Sequence, residues 1–330
     1  MIITQTPLRI SFLGGGTDYP VYYRQHGGTT LATAINKYTL ITVQRVHQFA
    51  DYGIRVNYSK IETVQKLDEI QHPSARESLR FMGITEGVEI HYVGDLPART
   101  GLGSSSSATV GLLLALHAFK GEMVSREQVA AEAVHVEQDL IKERVGSQDQ
   151  YACALGGFQH LQFQRDGNVR ADPIILNAER QRALQDRLLL MYTSLQRTAH
   201  EVLDEQLQRT HAGENTGDLS QLQQLAAQGL QILSATNANL ADFGALLHEG
   251  WILKRRLSSK IAPPGIDESY ERARRAGAIG GKLLGAGGGG FLLLFVEPEN
   301  RARVLKSVPE LRSTDFSFED SGSRVIFYRA

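Results

Sequence analysis

The most informative segment of the sequence runs from Pro97 to Ala108 and reads P-A-R-T-G-L-G-S-S-S-S-A. It follows an alternating run over 88–93 that predicts a half-buried strand, and it precedes an apolar run over 109–116 that predicts a buried helix. Glycines let the backbone approach a ligand, and a helix start presents unpaired N–H groups. A capped helix needs one serine, and this stretch has four. We therefore interpret it as an anion-binding loop.

Two common phosphate-binding motifs do not fit this loop. A Walker loop requires a lysine where Ser104 follows Gly103, and a dinucleotide fingerprint requires a third glycine where Ser106 stands. The stretch instead resembles the second motif of the GHMP kinases, a superfamily named after galacto-, homoserine, mevalonate and phosphomevalonate kinases. The resemblance implies that ATP is the cofactor and that it is bound by Pro97, Gly101, Leu102, Gly103, Ser104, Ser105, Ser106 and Ser107.

A second glycine cluster lies near the start of the chain. Residues 6–20 read T-P-L-R-I-S-F-L-G-G-G-T-D-Y-P, which predicts a strand that ends in a glycine turn. In isolation, Gly-Thr-Asp could merely cap the next segment. Together with the loop above, the cluster resembles the first GHMP motif, which holds the sugar. The resemblance assigns substrate binding to Arg9, Gly15, Gly16, Thr17, Asp18 and Tyr19. Galactokinases carry Glu-His where Gly15-Gly16 stands, so a roomier pocket and another sugar are expected.

A carboxylate on an apolar helix face is a candidate metal ligand. Ser125-Arg126-Glu127-Gln128 predicts a helix start, and the apolar stripe that follows includes Ala133 and Val134. Glu137 lies on the same stripe, where burial is costly unless a cation or hydrogen bonds balance the charge. A buried lysine would be one partner. A magnesium ion would be another, because Mg²⁺ takes one or two carboxylates alongside nucleotide phosphates.

The segment after this helix completes the expected catalytic set. Residues 144–151 read R-V-G-S-Q-D-Q-Y and resemble the GHMP segment that carries the catalytic aspartate. The resemblance implies that Asp149 takes or orients the proton of the accepting hydroxyl and also contacts the substrate. It implies that Arg9 helps to organise the nucleophile, and that Ser105 and Glu137 hold Mg²⁺.

The third glycine cluster connects a lysine to a strongly apolar strand. Residues 280–295 read G-G-K-L-L-G-A-G-G-G-G-F-L-L-L-F. Gly285, Gly287 and Gly290 have the dinucleotide spacing, but a strand follows them instead of the helix that must face the pyrophosphate. The run resembles the third GHMP motif, which implies substrate contacts from Gly287 and Gly288.

Basic side chains in the second half are candidates for binding a phosphate that the substrate already carries. Arg197 is predicted at or near a helix start, where a guanidinium and the helix dipole would act together. A solvated surface arginine is an equally good interpretation of Arg197. Lys254 and Arg255, on a later helix, are further candidates.

Composition fits a globular protein of two domains. The chain has 330 residues, 42% hydrophobic and 22% charged. Proteins that bind nucleic acid or an acidic membrane surface usually carry excess positive charge. The net charge of −1 therefore argues against both kinds of partner. The single Cys153 excludes an intramolecular disulfide and favours the cytoplasm. No apolar run approaches the length of a membrane span.

The resemblance implies an α+β fold of two domains with the site between them. Residues 1–180 would form an ATP-binding domain like domain 2 of ribosomal protein S5. Residues 181–330 would form a ferredoxin-like domain, and we place the alternating tail over 324–328 in its sheet. A homodimer is a further expectation.

The amino-acid sequences of the first and third motifs most resemble those of the D-glycero-D-manno-heptose 7-phosphate kinase branch. That implies a small-molecule sugar phosphate as substrate, phosphorylated at its anomeric hydroxyl on the route to GDP-heptose and bacterial surface glycans. An anomeric kinase of an unphosphorylated sugar, such as fucose or galactose, is the alternative. A non-catalytic sugar sensor is a third hypothesis, opposed by the presence of Arg9, Glu137, Asp149 and the serines.

Overall fold

The computed structural model describes residues 1–195 and 199–329, with only the backbone for 199–201. The strands are β1 (Ile2–Leu13), β2 (Gly28–Arg45), β3 (Ile54–Asn57), β4 (Ile61–Val64), β5 (Val88–Gly94), β6 (Phe158–Phe163), β7 (Val169–Pro173), β8 (Leu188–Tyr192), β9 (Ala278–Leu283), β10 (Phe291–Val296), β11 (Arg312–Thr314) and β12 (Arg324–Tyr328). The helices are α1 (Pro20–His26), α2 (Pro73–Phe81), α3 (Ser104–Lys120), α4 (Arg126–His135), α5 (Gln148–Leu155), α6 (Ala178–Asp186), α7 (Ala199–His211), α8 (Thr216–Ser234), α9 (Leu240–Leu257), α10 (Pro264–Arg275) and α11 (Arg301–Ser307). Among these helices, none combines the length and apolarity that crossing a membrane requires.

Two sheets organise the described chain. The first has the order β12-β1-β2-β5-β3-β4. In the same sheet, β6 pairs with β2 on one side and with β7 on the other. β2 pairs with β6 through its first half and with β5 through its second half. The second sheet has the order β11-β8-β10-β9, and its strand pairs are antiparallel. The α+β organisation expected from the sequence is confirmed.

Two hydrophobic cores hold the sheets and helices together. One lies between the first sheet and helices α2 to α5 and buries Val43, Ile90 and Val110. The other connects the first sheet to the second and buries Phe12, Trp251 and Phe295. Helix α8 packs on β1 and β2, while its neighbour α9 packs on β9. The helix pair therefore joins the two sheets.

The tail strand is not where the sequence placed it. β12 pairs antiparallel with β1, with Ile2 opposite Tyr328, and so belongs to the first sheet rather than the second. An alternating run predicts a strand, but its partner depends on which sheet edge is open.

The polar stretch before β8 forms α6, capped by Asn177. The domain boundary after residue 180 stays a prediction.

The side chain of Arg9 faces the start of α3 and follows a register shift between β1 and β2. The side chains of Thr4 and Thr6 face Gly111 of α3, and that of Arg9 faces Gly103 at the start of the same helix. Regular alternation would place Thr6 and Arg9 on opposite faces. The pairing with β2 shifts between Pro7 and Leu8. Such irregularities redirect side chains, and this one lies between Thr6 and Arg9, with the extra residues in β2.

Candidate active site

Arg9 and Asp149 form the centre of the site. Nε and Nη2 of Arg9 donate to the two carboxylate oxygens of Asp149 at 2.8 and 2.6 Å, and Nη1 donates to the carbonyl of Gly101 at 2.7 Å. Arg9 is buried, whereas 26% of the Asp149 side chain is exposed. A bidentate pair fixes the plane of a carboxylate. The result is an oriented, accessible carboxylate beside the phosphate loop.

The phosphate loop leaves the first turn of α3 open. Gly103 precedes α3 in the left-handed region at φ 76° and has no side chain that could cap the helix. The first amides of the helix therefore face the loop without a helical partner. Ser105 is exposed, whereas Ser104 is partly exposed and its hydroxyl accepts from the amide of Arg99 at 3.2 Å.

Three other residues of this loop have different positions. Pro97 is exposed, and its carbonyl accepts from Thr100 at 3.0 Å. Leu102 is fully buried in the core, and its carbonyl accepts from the amide of Arg9 at 3.0 Å. Ser107 is buried and donates to the carbonyl of Thr6 at 3.3 Å. These contacts hold the loop on β1.

Glu137 is buried in the π-helical turn over Val136–Leu140. Its carboxylate accepts from Ser106 at 2.9 Å, from Thr109 at 2.8 Å and from the side-chain amide of Gln150. Burial raises the pKa of Glu137 to about 7, against the lowering effect of these hydrogen bonds. The partners are neutral, so the buried lysine left open above is not what holds this carboxylate. Ser106, not Ser105, is the serine in direct contact with Glu137.

Gln150 adds an oxygen beside this carboxylate. Its side-chain oxygen Oε1 is buried and has no hydrogen-bond partner, although its amide nitrogen donates to Glu137. An orphaned buried oxygen is costly, and a cation would satisfy it. Among the described residues, there is no cluster of three or more His, Cys, Asp and Glu side chains that could hold a metal alone. This oxygen set suits an ion that takes most of its ligands from phosphate and water.

Asp18 is the buried acid of the first glycine turn. Its Oδ1 accepts from the amide of Gly16 at 2.9 Å. Burial raises the pKa of Asp18 to about 6, and the negative charge of Asp149 contributes to the increase. Burial also raises the pKa of Tyr19, with the charges of Asp18 and Asp149 adding to it. These two side chains therefore share the electrostatic environment of Asp149.

The neighbouring residues of this turn have other roles. Thr17 is buried and donates to the carbonyl of Gly14 at 2.8 Å, so its hydroxyl stabilises the turn. A Cβ at Gly15 would lie 3.5 Å from Ser11 and Gln148. A Cβ at Gly16 would lie 3.1 Å from Leu219. The room that the sequence analysis expected beside Gly16 is therefore filled by the helical layer.

The third glycine loop, residues 284–290, lies directly on the phosphate loop. A Cβ at Gly101 would lie 2.4 Å from the carbonyl oxygen of Leu284, so only glycine permits this approach. The amide of Phe291 donates to Thr100 O at 3.1 Å and continues the contact. Gly287 and Gly288 both lie against Ile261, whose carbonyl accepts from the amide of Gly288 at 2.8 Å.

Two lysines of the second half approach the same site, and Arg255 does not. Nζ of Lys254 donates to the carbonyls of Leu283, at 3.0 Å, and Gly285. Nζ of Lys282 donates to the carbonyl of Phe12 at 2.9 Å, and burial lowers its pKa well below the ordinary lysine value. Arg255 instead pairs with Asp267 at 2.8 Å and lies over the Trp251 ring. Its guanidinium is therefore engaged by Asp267 and by the Trp251 ring in this structure. Arg197 lies outside the described residues.

Several site residues were missed by the sequence analysis. Gly146 lies so close to Asp18 that a Cβ there would be 1.9 Å from its carboxylate. Ser11 donates to Gln148 at 2.7 Å, beside Asp149. Lys282 stands in the third glycine motif, where substrate contacts were expected from Gly287 and Gly288 and no role was expected of the lysine. A lysine within an otherwise apolar strand was the one signal that could have identified it.

Comparison with known families identifies both halves of the chain. Residues 67–157 match the profile described as GHMP kinases N terminal domain, and residues 232–311 match the profile described as GHMP kinases C terminal. Together the two profiles match more than half of the chain. They include the phosphate loop, Glu137 and Asp149 in the first half and the third glycine loop in the second.

Individual relatives are similar over the whole chain. A D-glycero-alpha-D-manno-heptose 7-phosphate kinase from Campylobacter jejuni is 29% identical over 97% of this chain and 97% of its own length. An L-fucokinase/L-fucose-1-P guanylyltransferase from Bacteroides fragilis is 27% identical over 97% of this chain, but this covers 38% of that protein. Among solved structures, a D-glycero-D-manno-heptose 1-phosphate kinase from Bacteriodes thetaiotaomicron has a TM-score of 0.78 at 23% identity, covering 100% of both chains.

Proposed function

Because the chain belongs to the GHMP kinases and is an ATP-dependent sugar kinase, we propose that its substrate is D-glycero-D-manno-heptose 7-phosphate. The γ-phosphoryl group of ATP would pass to the anomeric hydroxyl and give the 1,7-bisphosphate. The observation that carries the proposed chemistry is the Arg9–Asp149 pair, whose arginine also holds the phosphate loop through Gly101. One arginine thereby sets the distance between the proton acceptor and the phosphates.

The proposal gives each part of the site a role. Asp149 takes or orients the hydroxyl proton, and Arg9 keeps its carboxylate turned toward the acceptor. The open amides of the first turn of α3 bind phosphate oxygens, since a helix start favours anions. Asp18 and Tyr19 contact the sugar. Gly287 and Gly288 would reach the substrate through backbone groups only.

Magnesium is part of the proposal because the oxygen donors fit it. Glu137 and the orphaned Oε1 of Gln150 are hard ligands beside the serine turn, and ATP phosphates would supply others. Ser105 or Ser106 would add a hydroxyl. The ion would neutralise charge on the transferred phosphoryl group. The chain's own contribution is to keep Glu137 buried, held by three side-chain donors and ready to lose its proton.

The choice of sugar depends on the relatives. The heptose 7-phosphate kinase aligns end to end with this chain, which supports a heptose phosphate. The similar structure is described as a heptose 1-phosphate kinase, so the two descriptions differ in the position of the phosphate. The fucokinase relative also aligns with nearly the whole chain and supports the alternative of an unphosphorylated sugar.

A coupled ADP-release assay over a matched panel tests this proposal. The panel contains heptose 7-phosphate, heptose 1-phosphate, unphosphorylated heptose, L-fucose and D-galactose. We expect the highest kcat/KM with heptose 7-phosphate, and ³¹P NMR should show a new anomeric phosphate. Preference for heptose 1-phosphate or for an unphosphorylated sugar would overturn the substrate assignment while leaving the kinase activity intact.

A homodimer and a cytoplasmic location also belong to this proposal. The single buried Cys153 supports this location, since a free thiol is typical of a reducing compartment. Light scattering of the purified protein measures the mass, and a monomer at micromolar concentration would contradict the dimer.

A further inference from the structure

Lys254 of α9 is buried where the third glycine loop begins. Its side chain donates to the carbonyls of Leu283 and Gly285, and the residue is 8% exposed. An ammonium has three hydrogens, and these two carbonyls use two of them. Burying this cation is costly unless negative charge lies nearby. Nearby negative charge is therefore needed to stabilise the Lys254 ammonium in this position.

The compensating charges are the two carboxylates of the active site. Burial lowers the pKa of Lys254 to about 8, the positive charge of Arg9 acts in the same direction, and Asp18 and Asp149 oppose the shift. Lys282 is a second buried lysine near Lys254, and the positive charge of Lys254 contributes to lowering the pKa of Lys282. Lys254 is therefore a cation from the second half of the chain within the electrostatic range of both acids.

Lys254 also secures the contact between the two glycine loops. A Cβ at Gly285 would lie 2.5 Å from the Cα of Gly101, so the two backbones touch. On one side of this contact Lys254 binds the carbonyl of Gly285, and on the other side Arg9 binds the carbonyl of Gly101 at 2.7 Å. Arg9 also holds Asp149. A chain of short contacts thus runs from Lys254 to the catalytic carboxylate.

We propose that Lys254 is a positioning residue for phosphoryl transfer, whose ammonium holds the third glycine loop on the phosphate loop. It acts through the backbone of Gly285 and Gly101 and through the charges of Asp18 and Asp149. Its effect is to fix the phosphates of ATP relative to Asp149. The inference rests on the kinase activity of the proposed function and on no particular sugar.

The first test compares Lys254→Met with Lys306→Met. Lys306 is exposed on α11, so it undergoes the same substitution away from the site. Loss of a charge-assisted contact predicts that kcat falls about 10- to 100-fold in Lys254→Met, with a smaller rise in KM for ATP. The control should match wild type within twofold. A Lys254→Met enzyme that keeps more than half of the wild-type kcat overturns the proposal.

Amide hydrogen exchange measures the loop contact without turnover. The amides of Leu284, Gly288 and Gly290 donate to the carbonyls of Phe291, Ile261 and Leu195. In Lys254→Met these amides should exchange at least about tenfold faster, while the interior of α3 stays as protected as in wild type. Uniformly faster exchange would indicate general destabilisation and would count against a local positioning role.

A pH profile separates the charge from the volume of the side chain. As pH rises through about 8, Lys254 loses its proton, and the kcat of wild type should fall. The charged and titratable groups that face it are Arg9, Asp18, Asp149 and Lys282. Lys254→Arg keeps its charge at every accessible pH, so this falling limb should disappear while kcat stays within about tenfold. An unchanged limb in Lys254→Arg overturns the proposal.

Failure of the proposed function has a different signature. If wild type releases no ADP with any sugar of the panel, the substrate assignment fails. The exchange experiment then still decides whether Lys254 holds the loop.

Discussion

Arg9 holds Asp149 by two hydrogen bonds of 2.8 and 2.6 Å, although the two residues are 140 positions apart in the chain. The arginine lies on β1 and the aspartate in the first turn of α5, where an acidic residue is favoured by the helix dipole. Because the third nitrogen of the same guanidinium holds Gly101, the pair connects the proton acceptor to the phosphate loop.

Asp149→Asn should remove turnover and leave ATP binding near wild type. An amide cannot accept a proton in the transition state, and loss of a positioned base costs about 10²–10⁴ in rate. ATP affinity, measured by calorimetry, should stay within about threefold because the phosphates are held by backbone amides. Asp51→Asn, at an exposed loop position, is the control. A variant of Asp149 with more than half of the wild-type kcat would exclude this residue from the mechanism.

Glu137→Gln should raise the magnesium requirement and remove its pH dependence. The pKa of Glu137 is about 7, so below pH 7 a proton competes with the ion for the carboxylate. The half-saturating Mg²⁺ concentration of wild type should therefore rise roughly tenfold per pH unit below 7. In Glu137→Gln it should be high at every pH. An unchanged magnesium requirement at pH 8, together with a lowered Tm, would make Glu137 a structural residue.

Ligand-free protein should lose stability as the pH rises toward neutrality. The pKa of Asp18 in the fold is about 6 and that of Glu137 about 7, both above the unfolded values. Between the unfolded and the folded pKa the folded state binds more protons, so stability decreases with rising pH in that window. The Asp18→Asn and Glu137→Gln double variant should have a flatter Tm profile from pH 5 to 8. If the Tm of wild type and of the double variant changed with pH in the same way, Asp18 and Glu137 would not be the cause of the pH dependence.

Gly101→Ala should disrupt the contact between the two glycine loops. Its Cβ would lie 2.4 Å from the backbone of Leu284, and its φ of +84° is strained for alanine. Gly83→Ala is the matched control, because its φ of +68° carries the same strain but nothing lies within 4 Å. The control should lose about 1 kcal/mol of unfolding free energy. Gly101→Ala should lose more and bind ATP at least tenfold more weakly. Equal losses of unfolding free energy in the two variants would show that the backbone strain at positive φ, and not the contact with Leu284, is responsible.

Arg197→Ala should weaken binding of the phosphorylated sugar. A substrate phosphate carries about −1.5 to −2 charges and needs a basic partner in the cleft. Loss of one charge-assisted contact predicts a KM increase of roughly 10–100-fold for heptose 7-phosphate. The KM for ATP should scarcely change, and an unphosphorylated heptose should be handled equally by both proteins. If both sugars are lost alike, Arg197 has a structural role.

Short motifs were sufficient to predict the local structure around the site. The glycine turn before α3, the serines of its first turn, the capping serine at 125 and the glycine run before β10 all lie where the sequence places them. These features are local because backbone conformation and helix capping depend on a few neighbouring residues. The carboxylate of Glu137 could also be recognised as buried from its position on an apolar stripe.

Contacts between distant segments could not be predicted in the same way. That Ser106 rather than Ser105 contacts Glu137 depends on how α3 is rotated against the turn after α4. Arg255 lies one residue from Lys254 and yet pairs with Asp267, because adjacent helical residues point about 100° apart. The sequence offered both residues as equal candidates, and only packing on β9 separates them.

Local sequence was sufficient to identify the three glycine loops, their order and the family, because each loop requires glycine at positions of close approach or positive φ. The tertiary structure alone decided that β12 returns to β1, that Arg9 faces Asp149 after a register shift, and that Lys254 reaches the carbonyl of Gly285. Strand partners, side-chain direction and the burial of a charge depend on elements far apart in the chain. No local pattern encodes them, since each depends on which distant segments pack together in the folded chain.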